Sequence, residues 1–216
     1  MKKGILLMLS LTLILMSCGG SKTKEGGASE DITKSKDAIE LKSFMLGGMY
    51  FYNGFGGVSA VESMLTEKSD KEKMIAQYKE IFVLPFKSEQ AADIKSVLSN
   101  MWEINNKSDL EASMKSLMSE DSNKPKHKAW DYARIVNNAS MGYAAGFLTA
   151  DEAKKYAADA LVAAQKNFKN WDDYLKDYNA GRNNWDPEAE DKADFDKVTS
   201  DMMASPDGLY KTLPLN

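Results

Sequence analysis

The sequence predicts an all-α protein, and three observations carry that expectation. Apolar residues recur at three- and four-residue spacing from Asp37 to the C-terminus. Ser, Thr, Asn and Asp stand where those stripes begin, and no long run of alternating Val, Ile and Thr offers a sheet core. The composition is that of a globular body, with 43% of the 216 residues hydrophobic, 28% charged and 10% aromatic. The expected organisation is a signal peptide at 1–17, a lipidated Cys18 with a flexible tether at 18–36, and a single multi-helix domain at 37–216.

Met1-Lys2-Lys3 is a short basic head, followed from Ile5 to Leu15 by an apolar run broken only by Ser10 and Thr12. That run suits a secretory signal, because spanning a bilayer needs roughly 20 apolar residues. It closes in Leu15-Met16-Ser17-Cys18 before Gly19-Gly20. These residues resemble a bacterial lipoprotein signal with its lipobox; the other reading is a buried N-terminal helix with an incidental Cys. The resemblance implies diacylation of Cys18 and stable anchoring through several acyl chains. It also implies a cell-envelope location, with Gly19 favouring the outer over the inner membrane in a Gram-negative cell. Residues 19–36 carry almost no apolar side chain, so ordering them would cost backbone entropy with little return. They read as a spacer.

Within the body, Phe44 to Val58 is the hardest stretch, since Gly and aromatics make poor helix while helical spacing continues on both sides. A Gly-interrupted helix is favoured over a hairpin turning at Asn53-Gly54. Met74, Ile75, Tyr78, Ile81 and Phe82 form the next stripe, with Ser69 and Glu72 at capping-box spacing and Pro85 as the stop. Ile94, Val97, Leu98 and Met101 follow from Ser88. Leu110, Met114, Leu117 and Met118 follow a second box, Ser108 and Glu111.

Ala129 to Ala145 is apolar or small on nearly every face, which predicts a central helix surrounded by neighbours and ended by Gly146. Thr149 and Glu152 open a helix through Ala153, Tyr156, Ala157, Ala160, Leu161, Ala164 and Phe168. Trp171, Tyr174, Leu175 and Tyr178 follow Asn170, with Gly181 placed as a left-handed C-terminal cap. Asp186-Pro187 reads as an N-cap and first helical position. The last helix then carries Phe195, Val198 and Met202 and ends at Ser205-Pro206-Asp207-Gly208.

Chemistry is narrowed by what is scarce. One Cys and one His leave no disulfide framework or Cys/His zinc site, and a net charge of −4 gives no broad grip on nucleic acid. No cofactor or metal is expected. His127 lies in Lys124-Pro125-Lys126-His127-Lys128 and reads as a solvated loop histidine. Asp186, Glu188, Glu190, Asp191, Asp194 and Asp196 lack the Gly of a calcium loop and suit a helix N-terminus instead.

Of 28 basic residues only Arg134 and Arg182 are Arg. In a chain so biased to Lys, they mark places where a planar, bidentate, stacking cation is needed. Trp130 and Asp131 stand one helical turn before Arg134.

These residues also carry a resemblance. Trp102-Glu103-Ile104 with Asp109-Leu110, Ala129-Trp130-Asp131 with Arg134, and Gly142-Tyr143-Ala144-Ala145-Gly146 with Glu152-Ala153 are similar to a bacterial domain-of-unknown-function family, number 1266. So are Trp171-Asp172 and Gly181-Arg182 with Trp185. The match covers about residues 84–185 and implies a helical domain with no assigned activity.

Trp102, Trp130, Asp131, Arg134, Trp171, Arg182 and Trp185 are therefore the candidate network. Either they clamp helices together, or they form a cleft in which the arginines meet an anion and the Trp rings stack on a ligand. The expected function is a lipid-anchored, non-enzymatic binding or structural module of the envelope. Its partners would be the membrane, through the N-terminal lipid, and an envelope protein or small anionic ligand. The alternatives are a carboxylate-based envelope hydrolase and an inhibitor or immunity-type protein that binds one protein partner.

Overall fold

Eleven α-helices and two 3-10 turns make up the residues that the computed structural model describes, 31–119 and 127–216, and no strand occurs among them. The signal peptide, Cys18 and the first part of the tether lie outside the described residues. Residues 31–36, which composition assigns to the tether, already belong to the folded body. Asp31 caps a 3-10 turn at Ile32–Lys34, and Ser35 Oγ accepts the Ala38 amide at 3.1 Å to open α1 (Lys36–Met45). Capping contacts order a segment that has little to bury.

The Gly-aromatic stretch is helical but in pieces, α1, α2 (Gly48–Gly54) and α3 (Val58–Met64). The C-terminal segment docks beside the first break. The Tyr210 hydroxyl reaches in to donate to the Met45 carbonyl, and a Cβ on Gly48 would lie 2.0 Å from that hydroxyl. Only glycine lets the C-terminal segment dock there.

Two capping boxes read from sequence are displaced. α4 (Lys71–Phe82) is capped by Asp70, which accepts the Lys73 amide at 3.2 Å, in place of Ser69 and Glu72. α6 (Lys107–Met118) is capped by Asn106, which accepts the Asp109 amide at 3.0 Å, in place of Ser108 and Glu111. In each case a cap of equal strength stands within two residues, and the extended backbone chooses it. Between them α5 (Ala91–Trp102) ends on Glu103 at φ 57, with the Ile104 amide closing on Leu98 O at 3.0 Å. Met101, read as part of the apolar stripe, is 63% exposed.

α7 (Lys128–Ala144) is the central helix, packed against α5, α6, α8 (Ala150–Asn167) and α9 (Trp171–Trp185). Ala129, Ala133, Val136, Ala139 and Ser140 are fully buried on it. Gly146 at φ +76 ends the helix, as expected, and α8 folds back along it.

α8 opens on the reciprocal box of Thr149 and Glu152. The Lys107 ammonium and the Thr149 amide and hydroxyl hold the Glu152 carboxyl at about 2, below its ordinary 4.5. A depressed carboxylate supports the fold above its unfolded value and loses that support as pH falls from about 4.5 to about 2. Carboxyl-carbon NMR should show Glu152 titrating near 2, and Lys107→Met should raise that value towards 4.5.

Gly181 is not a cap. It sits inside α9, which runs on to Trp185, so Arg182 belongs to the last helical turn and not to a following loop. Asp186-Pro187 likewise does not start a helix. Asp186 ends α9, a turn follows, and α10 (Lys192–Ala204) begins after Asp191. α10 stops at Ser205 as expected but is not last, because α11 (Leu209–Thr212) packs back with Leu209, Leu213 and Leu215 buried. Among the described residues no helix is long and apolar enough to cross a membrane.

Candidate functional site

Trp130, Asp131 and Arg134 lie within the first two turns of α7. The Arg134 Nη2 donates to Asp131, and its guanidinium carbon lies 3.7 Å from the Trp130 ring centre and 5.9 Å from that of Trp102. Asp131 also takes Lys128 Nζ at 3.5 Å. The Trp185 ring centre lies 5.9 Å from that of Trp130 at a 43° tilt. Trp102, Arg134, Trp130 and Trp185 therefore form one ladder. Its outer rung, Trp185, is 68% exposed.

Arg182 is 7% exposed. It donates through Nη2 to Asp191, and its guanidinium carbon lies 4.4 Å from the Phe195 ring centre. Phe195 meets Tyr50 edge-on at 5.5 Å, and Tyr50 meets Tyr178 edge-on at 5.9 Å. Tyr50 thus reaches Arg182 through the Phe195 ring. Burial pushes its hydroxyl up in pKa, while the Tyr178 hydroxyl, the Arg134 and Arg182 charges and the Trp130 ring N–H pull the other way. The side chain keeps part of its surface exposed, but the hydroxyl lies inside.

Each guanidinium has one nitrogen fixed by a carboxylate, while Arg134 Nε and Arg182 Nη1 are buried with no hydrogen-bond partner among the described residues. Asn179 Oδ1 and Asn183 Oδ1, flanking Arg182 on α9, are buried acceptors in the same condition. Buried polar atoms are nearly always hydrogen-bonded, so this concentration on one helix end marks the place as unusual.

Trp171 does not join the cluster. It is 2% exposed, its Nε1–H donates to Leu213 O at 2.7 Å, and its ring packs on Tyr174 and Tyr210. It fastens the C-terminal segment to α9.

His127 is no solvated loop residue. Its Nδ1 lies 2.9 Å from Asp177 Oδ1 and its Nε2 2.9 Å from Asn184 Nδ2. Asp177 Oδ2 also accepts the Ala129 amide at 2.9 Å, so α9 caps α7 across the interface. These partners place the Nδ1 proton towards Asp177 and leave Nε2 to accept from Asn184. Asp177 and Asn184 had no local sequence signal, since the contacts link residues 50 and 57 positions apart. Tyr50 was readable only as part of the ambiguous Gly-aromatic stretch.

Of the acidic residues, Asp191 holds Arg182 and Asp196 pairs with Lys192 at 2.6 Å. Among the described residues no three His, Cys, Asp or Glu side chains converge to hold a metal. A separate groove of about 360 Å³, bordered by Met118, Tyr132, Val162 and Lys166, shares no residue with the arginine cluster.

A family described as proteins of unknown function, DUF1266, matches residues 31–215, well beyond the stretch legible from its motifs. No curated protein and no solved structure matches the chain.

Proposed function

We propose, from the premise that this chain belongs to the DUF1266 family, that it is a lipid-anchored binding module of the bacterial cell envelope. The observation that supports binding is the buried Arg182 Nη1, unpartnered beside a Trp ladder whose outer ring is exposed. A residue kept only as a clamp would have its donors satisfied, because an unmade buried hydrogen bond costs about 1–3 kcal/mol. The anchor rests on the basic head, apolar run and Cys18 of the sequence. Anchoring and binding fit together if the tether holds the cluster off the membrane.

Cells fed an alkyne-bearing palmitate should label the chain, and Cys18→Ala should abolish the label and release the protein from the membrane fraction. An unlabelled wild-type protein would refute the anchor. Binding without catalysis is tested separately. A turnover on envelope glycans or peptides that Asp131→Asn or Arg134→Ala abolishes, with the melting midpoint kept, would make the protein a hydrolase.

That second reading has one observation in its favour. His127 is held by Asp177 as a general base would be, beside Trp130 across Gly181. It ranks second because Nε2, the nitrogen that would take a proton, is engaged by Asn184.

A further inference from the structure

We infer that the end of α9 is a docking surface for a basic segment of a protein partner, with an arginine of that segment stacked on Trp185 and further cations facing the acidic turn that follows. The inference rests on the binding-module reading and names the partner's chemistry.

Trp185 is 68% exposed, yet the chain on both sides of it is held. Asn184 Nδ2 meets His127 Nε2 at 2.9 Å, and the Asp186 amide donates to Arg182 O at 3.2 Å. The Trp185 ring centre lies 5.9 Å from that of Trp130, and Trp130 is itself packed by the Arg134 guanidinium at 3.7 Å. A side chain ordered before contact loses little entropy on binding, which is why rigid Trp residues anchor many interfaces.

The turn beyond Trp185 supplies the charge. Asp186 Oδ1 accepts the Glu188 amide at 3.2 Å, and the Ala189 amide donates to Asp186 O at 3.3 Å. Asp191 then closes the turn back on Arg182, one helical turn before Trp185. Glu188, Glu190 and Asp194 are exposed and Asp186 is half-buried, and none of the four makes an ion pair among the described residues. Lys192, the one cation between them, is taken by Asp196 at 2.6 Å.

This spread of charge selects the occupant. A metal ion needs converging ligands, and no three His, Cys, Asp or Glu side chains converge among the described residues. Nucleic acid or an anionic membrane would be repelled, and a second copy docking by the same face would set carboxylates against carboxylates. Cations strung along one partner chain match carboxylates strung along the turn. Arginine suits Trp185 better than lysine, because its planar guanidinium stacks on indole as Arg134 does on Trp130.

The test is fluorescence anisotropy of labelled oligoarginine, oligolysine and oligoglutamate, titrated with the full-length chain in detergent at low and at physiological salt. Oligoarginine should bind saturably and more weakly as salt rises, with oligolysine severalfold weaker. Trp185→Ala should weaken oligoarginine by about tenfold, and Glu188→Lys with Glu190→Lys by about tenfold or more. Glu72→Lys with Glu80→Lys makes the same charge change on α4, which packs on α1, and should leave the affinity within about twofold. The charge variants sit at exposed positions that leave the fold intact, so they test the site even where Trp185→Ala melts early.

Oligoarginine that does not bind the folded wild type, or that binds the two double variants equally, would overturn the site. Unchanged affinity in folded Trp185→Ala would overturn the stacked arginine. Binding of oligoglutamate, or a dimer seen by sedimentation that Trp185→Ala dissociates, would overturn the choice of partner. A palmitate-labelled chain that ignores oligoarginine would overturn this inference alone. One that binds oligoarginine while turning over an envelope glycan or peptide would overturn the non-catalytic reading alone.

Discussion

Gly181→Ala should lower the melting midpoint by about 4–8 °C, although alanine is the better helix former. Propensity alone would favour alanine by about 1 kcal/mol in the middle of a helix. Against that, the new Cβ would lie 2.5 Å from His127 Cβ and 2.9 Å from Trp130 Cβ. Those atoms are fixed to the α7 backbone, so no rotamer change clears the way and the helices must part. Overpacking of this kind costs about 3 kcal/mol at the upper end of its usual range, which leaves a net loss of about 2 kcal/mol. At this chain length each kcal/mol moves the midpoint by about 2–4 °C.

Gly146→Ala is the useful comparison, because nothing lies within 4 Å of its added Cβ and only the φ of +76 is strained. It should cost about 1–2 kcal/mol. The Gly181 variant should also disturb the His127 resonances, since the parting helices carry the Asp177 and Asn184 contacts with them. A Gly181→Ala protein that melts higher than wild type would show that α7 and α9 cross more loosely than the structure describes.

Trp171→Ala should be the most damaging change, with about 3–5 kcal/mol lost and a midpoint about 6–20 °C lower. The ring is 2% exposed, and its removal opens a cavity between Tyr174 and Tyr210 while stranding the Leu213 carbonyl. Trp171→Phe keeps much of the volume and should lose about 1–3 kcal/mol, chiefly from the unmet carbonyl. Thermal melting of both variants checks this. If Trp171 served a ligand, the midpoint would hardly move, and Trp171 would return to the candidate site.

How much of this was legible can be followed residue by residue. The α7 core was readable because its composition alone reports surroundings, with Ala129, Ala133 and Ala139 small on successive faces. The Thr149 and Glu152 box was readable because a cap and its partner are three residues apart. The Asp70 and Asn106 caps were missed by one or two positions, since Ser69 and Ser108 are equally able to cap and only backbone geometry decides. Gly181 was misread for a different reason. Glycine serves a left-handed turn and a close helix crossing equally well, and the sequence does not say which.

For the candidate site, the scarcity of Arg pointed to two positions, and helical spacing tied Trp130 and Asp131 to Arg134. The sequence grouped Trp171 with them because tryptophan carries the same signal in a core as at a cleft. It passed over His127 because the lysines beside it are near in sequence while Asp177 is near only in space.

By itself the sequence determined the all-α class, the central helix, the starts of helices such as α4, α6 and α8 to within about two residues, and the family. Those properties follow from local periodicity and capping, which a run of neighbouring residues specifies completely. The tertiary structure alone decided that Tyr210 enters at Gly48, that α9 crosses α7 at Gly181, and that Asp177 caps α7. It also decided that Phe195 stands between Tyr50 and Arg182, and that each arginine keeps a buried N–H without an acceptor. These are contacts between distant segments, set by which faces pack together, and no local spacing encodes them.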